Sequence, residues 1–145
     1  MGGRLLMADS LLDQAKARAA ARRARRHTVS LDELAIELVC DVPTNFEDIE
    51  KLQAAAKAIN RKAWVAHYAR ALVAAQTREI RIAGELVADA NGLPLAFNDP
   101  ELWPRLDVLT AKDAVIALIG SDGDILDISK ELVAEGGFVG DDDPT

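Results

Sequence analysis

The chain has 145 residues, half of them hydrophobic and 28% charged, with a formal net charge of −7. That length fits one domain with short arms, and its six aromatic residues require a core built mainly from Leu, Ile, Val and Ala. The single cysteine, Cys40, excludes an internal disulfide, and the lack of any apolar run near about eighteen residues excludes a spanning helix, so a soluble, cytosolic protein is expected.

Charge is unevenly placed. Residues 1–28 hold seven Lys/Arg against Asp9 and Asp13, a net +5, which leaves −12 on the rest. A basic leader on an acidic body implies two surfaces with different partners. The leader opens with Ser10 and Asp13, spaced as a capping box, and continues through Ala- and Arg-rich sequence from Leu11 to Arg26. Its apolar positions are mostly alanine, so this helix is expected to bury little and to project. The leader is assigned to residues 1–27.

The period then changes. His27–Leu31 and Leu34–Val42 alternate and are rich in β-branched residues, with Asp32-Glu33 between them and Pro43 at the end. This reads as a β-hairpin, with a short amphipathic helix over 31–39 as the competing reading. From Thr44, paired with Glu47 as a capping box, the signals are helical: Phe46, Ile49, Leu52, Ala56 and Ile59 fall on one face. Asn60 can cap the next helix. With no proline between Arg61 and Asp89, one long helix is predicted there, carrying stripes at Val65, Tyr68, Leu72, Ala75 and at Ile80, Ala83, Val87, with Gly84 as its weak point. Asn91-Gly92 marks a turn, and Asp99-Pro100 opens a short helix through Trp103 that Pro104 tends to cut. Thr110 with Asp113 and Ser121 with Asp124 cap two closing helices, which stop at Gly120 and at Gly136-Gly137. Residues 136–145 are expected to form a loose acidic tail. The fold expected is α+β, predominantly α, with a short N-terminal hairpin on four to five helices over residues 28–135. Its core candidates are Ile36, Leu38, Phe46, Ile49, Leu52, Tyr68, Leu72, Val115, Ile119, Ile128 and Leu132.

Catalytic chemistry finds little support. Nucleophilic catalysis needs a nucleophile, a base and an orienting group together. Cys40 sits in an apolar run, while His27 lies beside an arginine cluster and His67 on a helix. One Cys and two distant His do not give zinc-ligand spacing. Counted from Asp122, an EF-hand would need Gly at position 6 and Glu at position 12, where Asp127 and Val133 stand. No phosphate-cradling loop is present. No catalytic, metal or cofactor residue is assigned, and the protein is expected not to be an enzyme. Arg18, Arg22, Arg23, Arg25 and Arg26 are the candidate partner-binding cations, through nucleic-acid phosphates, an acidic protein surface or the chain's own acidic surface. The acidic body and the absence of aromatics in the leader favour protein. Trp64 and Trp103 are candidate contact residues, because tryptophan is enriched in interface hot spots.

The order of parts is itself informative. Leu11-Leu12-Asp13-Gln14-Ala15-Lys16-Ala17-Arg18 leads into the β-type segment 27–42 and then into the capped turn Thr44–Glu47. Glu85-Leu86-Val87-Ala88-Asp89-Ala90-Asn91-Gly92-Leu93-Pro94-Leu95-Ala96-Phe97-Asn98-Asp99 follows, ahead of a small helix and a closing pair. This order resembles the tail assembly chaperones of long-tailed bacteriophages; Ala96 before Phe97 and the long middle helix depart from their pattern. The resemblance implies a non-enzymatic protein of the host cytoplasm, absent from the finished virion. It would coat the tape-measure protein, help recruit tail-tube subunits, bind no membrane and have scope for self-association. Such genes often also yield a longer, frameshifted product. Alternative readings are a structural virion component, such as a connector or tail-completion protein, and a small DNA-associated regulator using the basic helix.

Overall fold

In the computed structural model, residues 2–138 are described, with side chains from residue 9 onward. Helix α1 (Gly2–Arg23) leads into strands β1 (Arg26–Leu31) and β2 (Ile36–Asp41), joined by a single 3-10 turn at Asp32–Leu34. Helices α2 (Phe46–Ile59) and α3 (Trp64–Gln76) follow, then β3 (Thr77–Ile82) and β4 (Glu85–Leu86). A 3-10 turn at Trp103–Leu106 precedes α4 (Ala111–Ile119) and α5 (Asp122–Glu135). The fold is mixed α+β, and its antiparallel sheet has four strands in the order β1-β2-β3-β4.

Alternation makes the sheet two-faced. Along β2, Ile36, Leu38 and Cys40 are buried while Glu37, Val39 and Asp41 face outward. The buried face meets Ala69 and Val73 of α3, Val115 and Ile119 of α4, and Ile125, Ile128 and Leu132 of α5. Phe97, wholly buried, closes this core from the loop after β4. Helix α3 is apolar on two sides. Tyr68 and Leu72, one turn apart, join Ile49 and Ala56 of α2 in a second cluster, while Ala69 and Val73 turn toward the sheet. Helix α3 is therefore wedged between α2 and the main core.

The middle of the chain differs most from expectation. The predicted helix over 61–89 stops at Gln76, and Thr77–Ile82 runs as a strand beside β2. Thr77 is where it turns: its hydroxyl donates to the Val73 carbonyl at 2.7 Å, capping the helix. The β-branched Ile80 and Ile82 then line up with Leu38 and Ile36 across the sheet. Gly84 is no weak point in a helix. With φ +81° after Ala83 at φ +51°, it makes the two-residue hairpin turn between β3 and β4, the mirror-image geometry that right-twisted strands prefer. The two hairpin tips are stitched together, as Ala83 N–H donates to the Ala35 carbonyl at 2.8 Å.

Smaller corrections follow the caps. Helix α1 begins at Gly2, so Ser10 lies inside it and caps nothing. Asn45, not Thr44, caps α2, its side chain accepting from Glu47 N–H at 2.8 Å. Asn60 accepts from Lys62 and Ala63 N–H in the turn before α3, which starts at Trp64. Asp99 accepts from Ala96 N–H instead of opening a helix, and only the 3-10 turn forms, with Pro104 inside it. Thr110 and Ser121 cap α4 and α5 through Asp113 and Asp124 N–H. Phe46 was expected in the core but is 63% exposed at the first turn of α2. Leu52 is partly buried, and the other nine core candidates are buried.

The end of α5 is fixed by close packing. Gly136 lies so near the Pro43 carbonyl oxygen that an added Cβ would collide with it and crowd the Phe138 ring. Phe138, placed in the loose tail by its sequence, stacks edge-on against Phe46 at 4.4 Å and packs into the α2–α3 cluster. The rest of the expected tail, 139–145, lies outside the described residues. Gly136→Ala is expected to lower stability by about 1–3 kcal/mol through this overpacking. Leu132→Ala, which empties the main core, is expected to lower it by about 2–5 kcal/mol. Chemical denaturation of both variants beside the parent checks the two values.

Candidate protein-interaction surface

Among its described side chains, helix α1 contributes none to either buried cluster. Every residue from Asp9 to Arg26 is exposed, including Leu11 and Leu12 at 63% and 61%. Alanine and arginine are strong helix formers, which lets the segment be helical, but alanine gives it no apolar ridge with which to dock on its own body. Isolated helices of this length are marginal in water, so a helix standing clear of its domain gains most from an external surface.

The predicted basic cluster divides in two. Arg18, Arg22 and Arg23 lie on α1 and make no ion pair among the described residues. Arg25 and Arg26 follow the helix and are engaged by the body. Arg25 holds the carboxylate of Glu135 at 3.1 Å as well as the Glu135 backbone carbonyl, and Arg26 lies 3.4 Å from Asp41. Next to them His27 Nε2 meets Glu131 at 2.7 Å. These contacts tie the root of the arm to α5 and β2. Arg23, at the last turn of α1, lines a cleft of about 180 Å³ with Asp41, Asp48, Gln76 and Arg78. The mixture of charges there neutralises itself, with Arg78 donating to Asp41 at 2.6 Å.

The two tryptophans have internal partners. Trp64 opens α3, half-buried in the α2–α3 cluster, with Lys57 Nζ 4.6 Å from its ring centroid and Tyr68 beside it. Trp103 packs against the main core and donates its indole N–H to the Phe97 carbonyl at 2.7 Å. That bond fixes the loop carrying Phe97. Neither ring is presented as a free anchor.

One arrangement was not visible from spacing. Cys40 and His27, thirteen positions apart, are register partners across β1 and β2. They do not form an activated pair. The Cys40 thiol is fully buried, lies 3.7 Å from the Thr77 hydroxyl, and is pushed by burial up to about 11. Its thiolate is disfavoured, while the His27 ring is turned to Glu131. No group of three His, Cys, Asp or Glu side chains is placed to hold a metal ion among the described residues. Every buried side-chain nitrogen and oxygen among them has a hydrogen-bond partner. Within the same residues, no helix is long and apolar enough to cross a membrane.

Comparison of the chain with protein families, curated proteins and solved structures finds no match. The features that separate this surface from the core are the exposed arm from Asp9 onward, the arginines Arg18, Arg22 and Arg23, which make no ion pair among the described residues, and the apolar Leu11-Leu12 step.

Native Cys40 is expected to resist a thiol reagent at pH 8 and to react only as fast as the protein unfolds. Because its folded value stands near 11 against an ordinary 9.0, the unfolded chain ionises first. The stability this thiol contributes is intact below pH 9 and declines as pH rises toward 11. Denaturation curves for the parent and Cys40→Ala at pH 8 and pH 10 check this, with the parent expected to lose more.

Proposed function

We propose that this protein is a non-enzymatic assembly chaperone of phage tail morphogenesis, working in the host cytoplasm by holding the tape-measure protein or tail-tube subunits. One observation supports the reading: in α1, 22 residues long, every residue from Asp9 to Arg23 is exposed, and none joins a buried cluster of the body. An exposed basic arm with leucines at one step and cations along its final turns suits a helical partner that offers an apolar stripe edged with carboxylates. A tape-measure protein, expected to be a very long helical chain, is such a partner. The acidic body meanwhile keeps the loaded protein soluble.

The same arm would also let a connector or tail-completion protein dock on a neighbour in the virion. The DNA-regulator reading is weakened by the engagement of Arg25 and Arg26 with Glu135 and Asp41, which leaves fewer cations for phosphates.

Co-expression with a helical tape-measure fragment tests the proposal. The full chain is expected to keep the fragment soluble and to retain it on a column. Replacing Leu11→Asp, Leu12→Asp and Arg18→Glu together is expected to weaken retention at least about tenfold, the loss of two apolar contacts and one charge pair, while leaving thermal unfolding of the body unchanged. A parent chain that neither solubilises nor retains the fragment removes this function. Stoichiometric recovery of the protein from purified virions would favour the structural role instead.

A further inference from the structure

The two edges of the sheet are unequal. On the β4 side the strand has two residues, and the chain continues into a loop closed by the Ala88–Pro94 bridge, with Leu95 N–H donating to the Val87 carbonyl at 3.0 Å. Short strands and proline are the usual means of blocking further pairing. The β1 side has no such block. Val42 N–H donates to the Arg25 carbonyl at 3.1 Å, and with the β1–β2 register this makes His27–Cys40, Val29–Leu38 and Leu31–Ile36 the hydrogen-bonded pairs. The N–H and C=O groups of Arg26, Thr28 and Ser30 therefore point away from the sheet. No backbone hydrogen bond reaches them among the described residues, and all three residues are exposed.

The charges flanking this edge are arranged head to tail. Before β1 come Arg22 and Arg23, and after it come Asp32 and Glu33. None of these four has an ion pair among the described residues. A second copy approaching antiparallel brings the basic end of one edge to the acidic end of the other, twice. A parallel approach sets like charges together.

We propose that β1 is a self-pairing edge, through which two copies of this chain join about a two-fold axis into one continuous eight-stranded sheet. The register that uses the outward groups pairs Thr28 with the partner's Thr28 and Arg26 with the partner's Ser30. It carries Arg22 and Arg23 toward the partner's Asp32 and the partner's Glu33. Hydroxyl residues opposite one another are a favourable cross-strand pair, and a symmetric interface of this kind closes on itself without growing into a fibre. This inference does not depend on the chaperone reading, since its test uses the protein alone; failure of either leaves the other standing.

Sedimentation of the full chain across about 1–100 µM is expected to show a dimer that weakens with added salt. Thr28→Pro deletes only an outward N–H and spares the ladder to β2, so it is expected to give a folded monomer. If that variant does not fold, the charge series decides. R22E with R23E, or D32K with E33K, is expected to raise the dimer dissociation constant at least about tenfold, and the four changes together to restore it to within about threefold. A parent that stays monomeric overturns the proposal. So does a dimer that survives Thr28→Pro in a folded protein, or one indifferent to every charge reversal.

Discussion

Pairing of β3 with β2 is the constraint on which the rest of this structure depends. It ends α3 at Gln76, because beyond Thr77, whose N–H still bonds to the Val73 carbonyl, the backbone pairs with β2 instead of continuing the helix. It also makes the sheet wide enough for three helices to lie against one face, where Leu38 and Ile80 stand side by side with no exposure at all. Without that pairing the first hairpin would be a two-stranded ribbon, which is marginal by itself in water. The bulge between Val39 and Cys40 lies within this same pairing and lets Cys40 meet Thr77 at the point where helix becomes strand.

Helix α5 does the complementary work of binding distant parts of the chain to one another. Its buried side carries Ile125, Ile128 and Leu132 into the core, and its polar side takes part in several long-range ion pairs. Asp122 receives a bidentate contact from Arg70 of α3 at 2.8 and 2.9 Å, Glu131 meets His27, and Glu135 holds Arg25. Such pairs are exposed to varying degrees and individually add little free energy. Their effect is orientational: the contacts of Glu131 and Glu135 hold His27 and Arg25 at the junction where the arm runs into β1. Gly136 and Phe138 finish the arrangement by packing against Pro43 and Phe46.

The division of charge takes on a structural meaning here. The positive leader splits at Ala24. Arg18, Arg22 and Arg23 before it make no ion pair among the described residues, while Arg25 and Arg26 after it are neutralised by acidic residues of the body. The surplus of carboxylates, 22 Asp/Glu against ten Lys/Arg after residue 28, thus lies on the body, opposite in sign to the arm.

Local chemistry alone determined a good deal. The caps at Thr110 and Ser121, the stop at Gly120 and the burial of Val115, Ile119, Ile128 and Leu132 follow from residue spacing and side-chain reach within a few positions. So does the projecting character of the arm, since a helix whose apolar face is alanine has little to bury. Of the expected α2 face, by contrast, Ile49 and Ala56 are buried, Leu52 partly so, and Phe46 and Ile59 are exposed. Residues 77–89 were decided elsewhere. Arg78–Ile82 suits helix and strand about equally by propensity, and only the open backbone groups of β2, some forty residues earlier in the chain, select the strand. Likewise nothing near Arg25 or Arg26 shows that Glu135 and Asp41 will claim them, and nothing near Cys40 shows that His27 will lie opposite. The sequence by itself settled which segments could be regular and where charge accumulates; tertiary structure decided which backbone groups and which charges were left without partners, because pairing across the sheet depends on residues far apart in the chain.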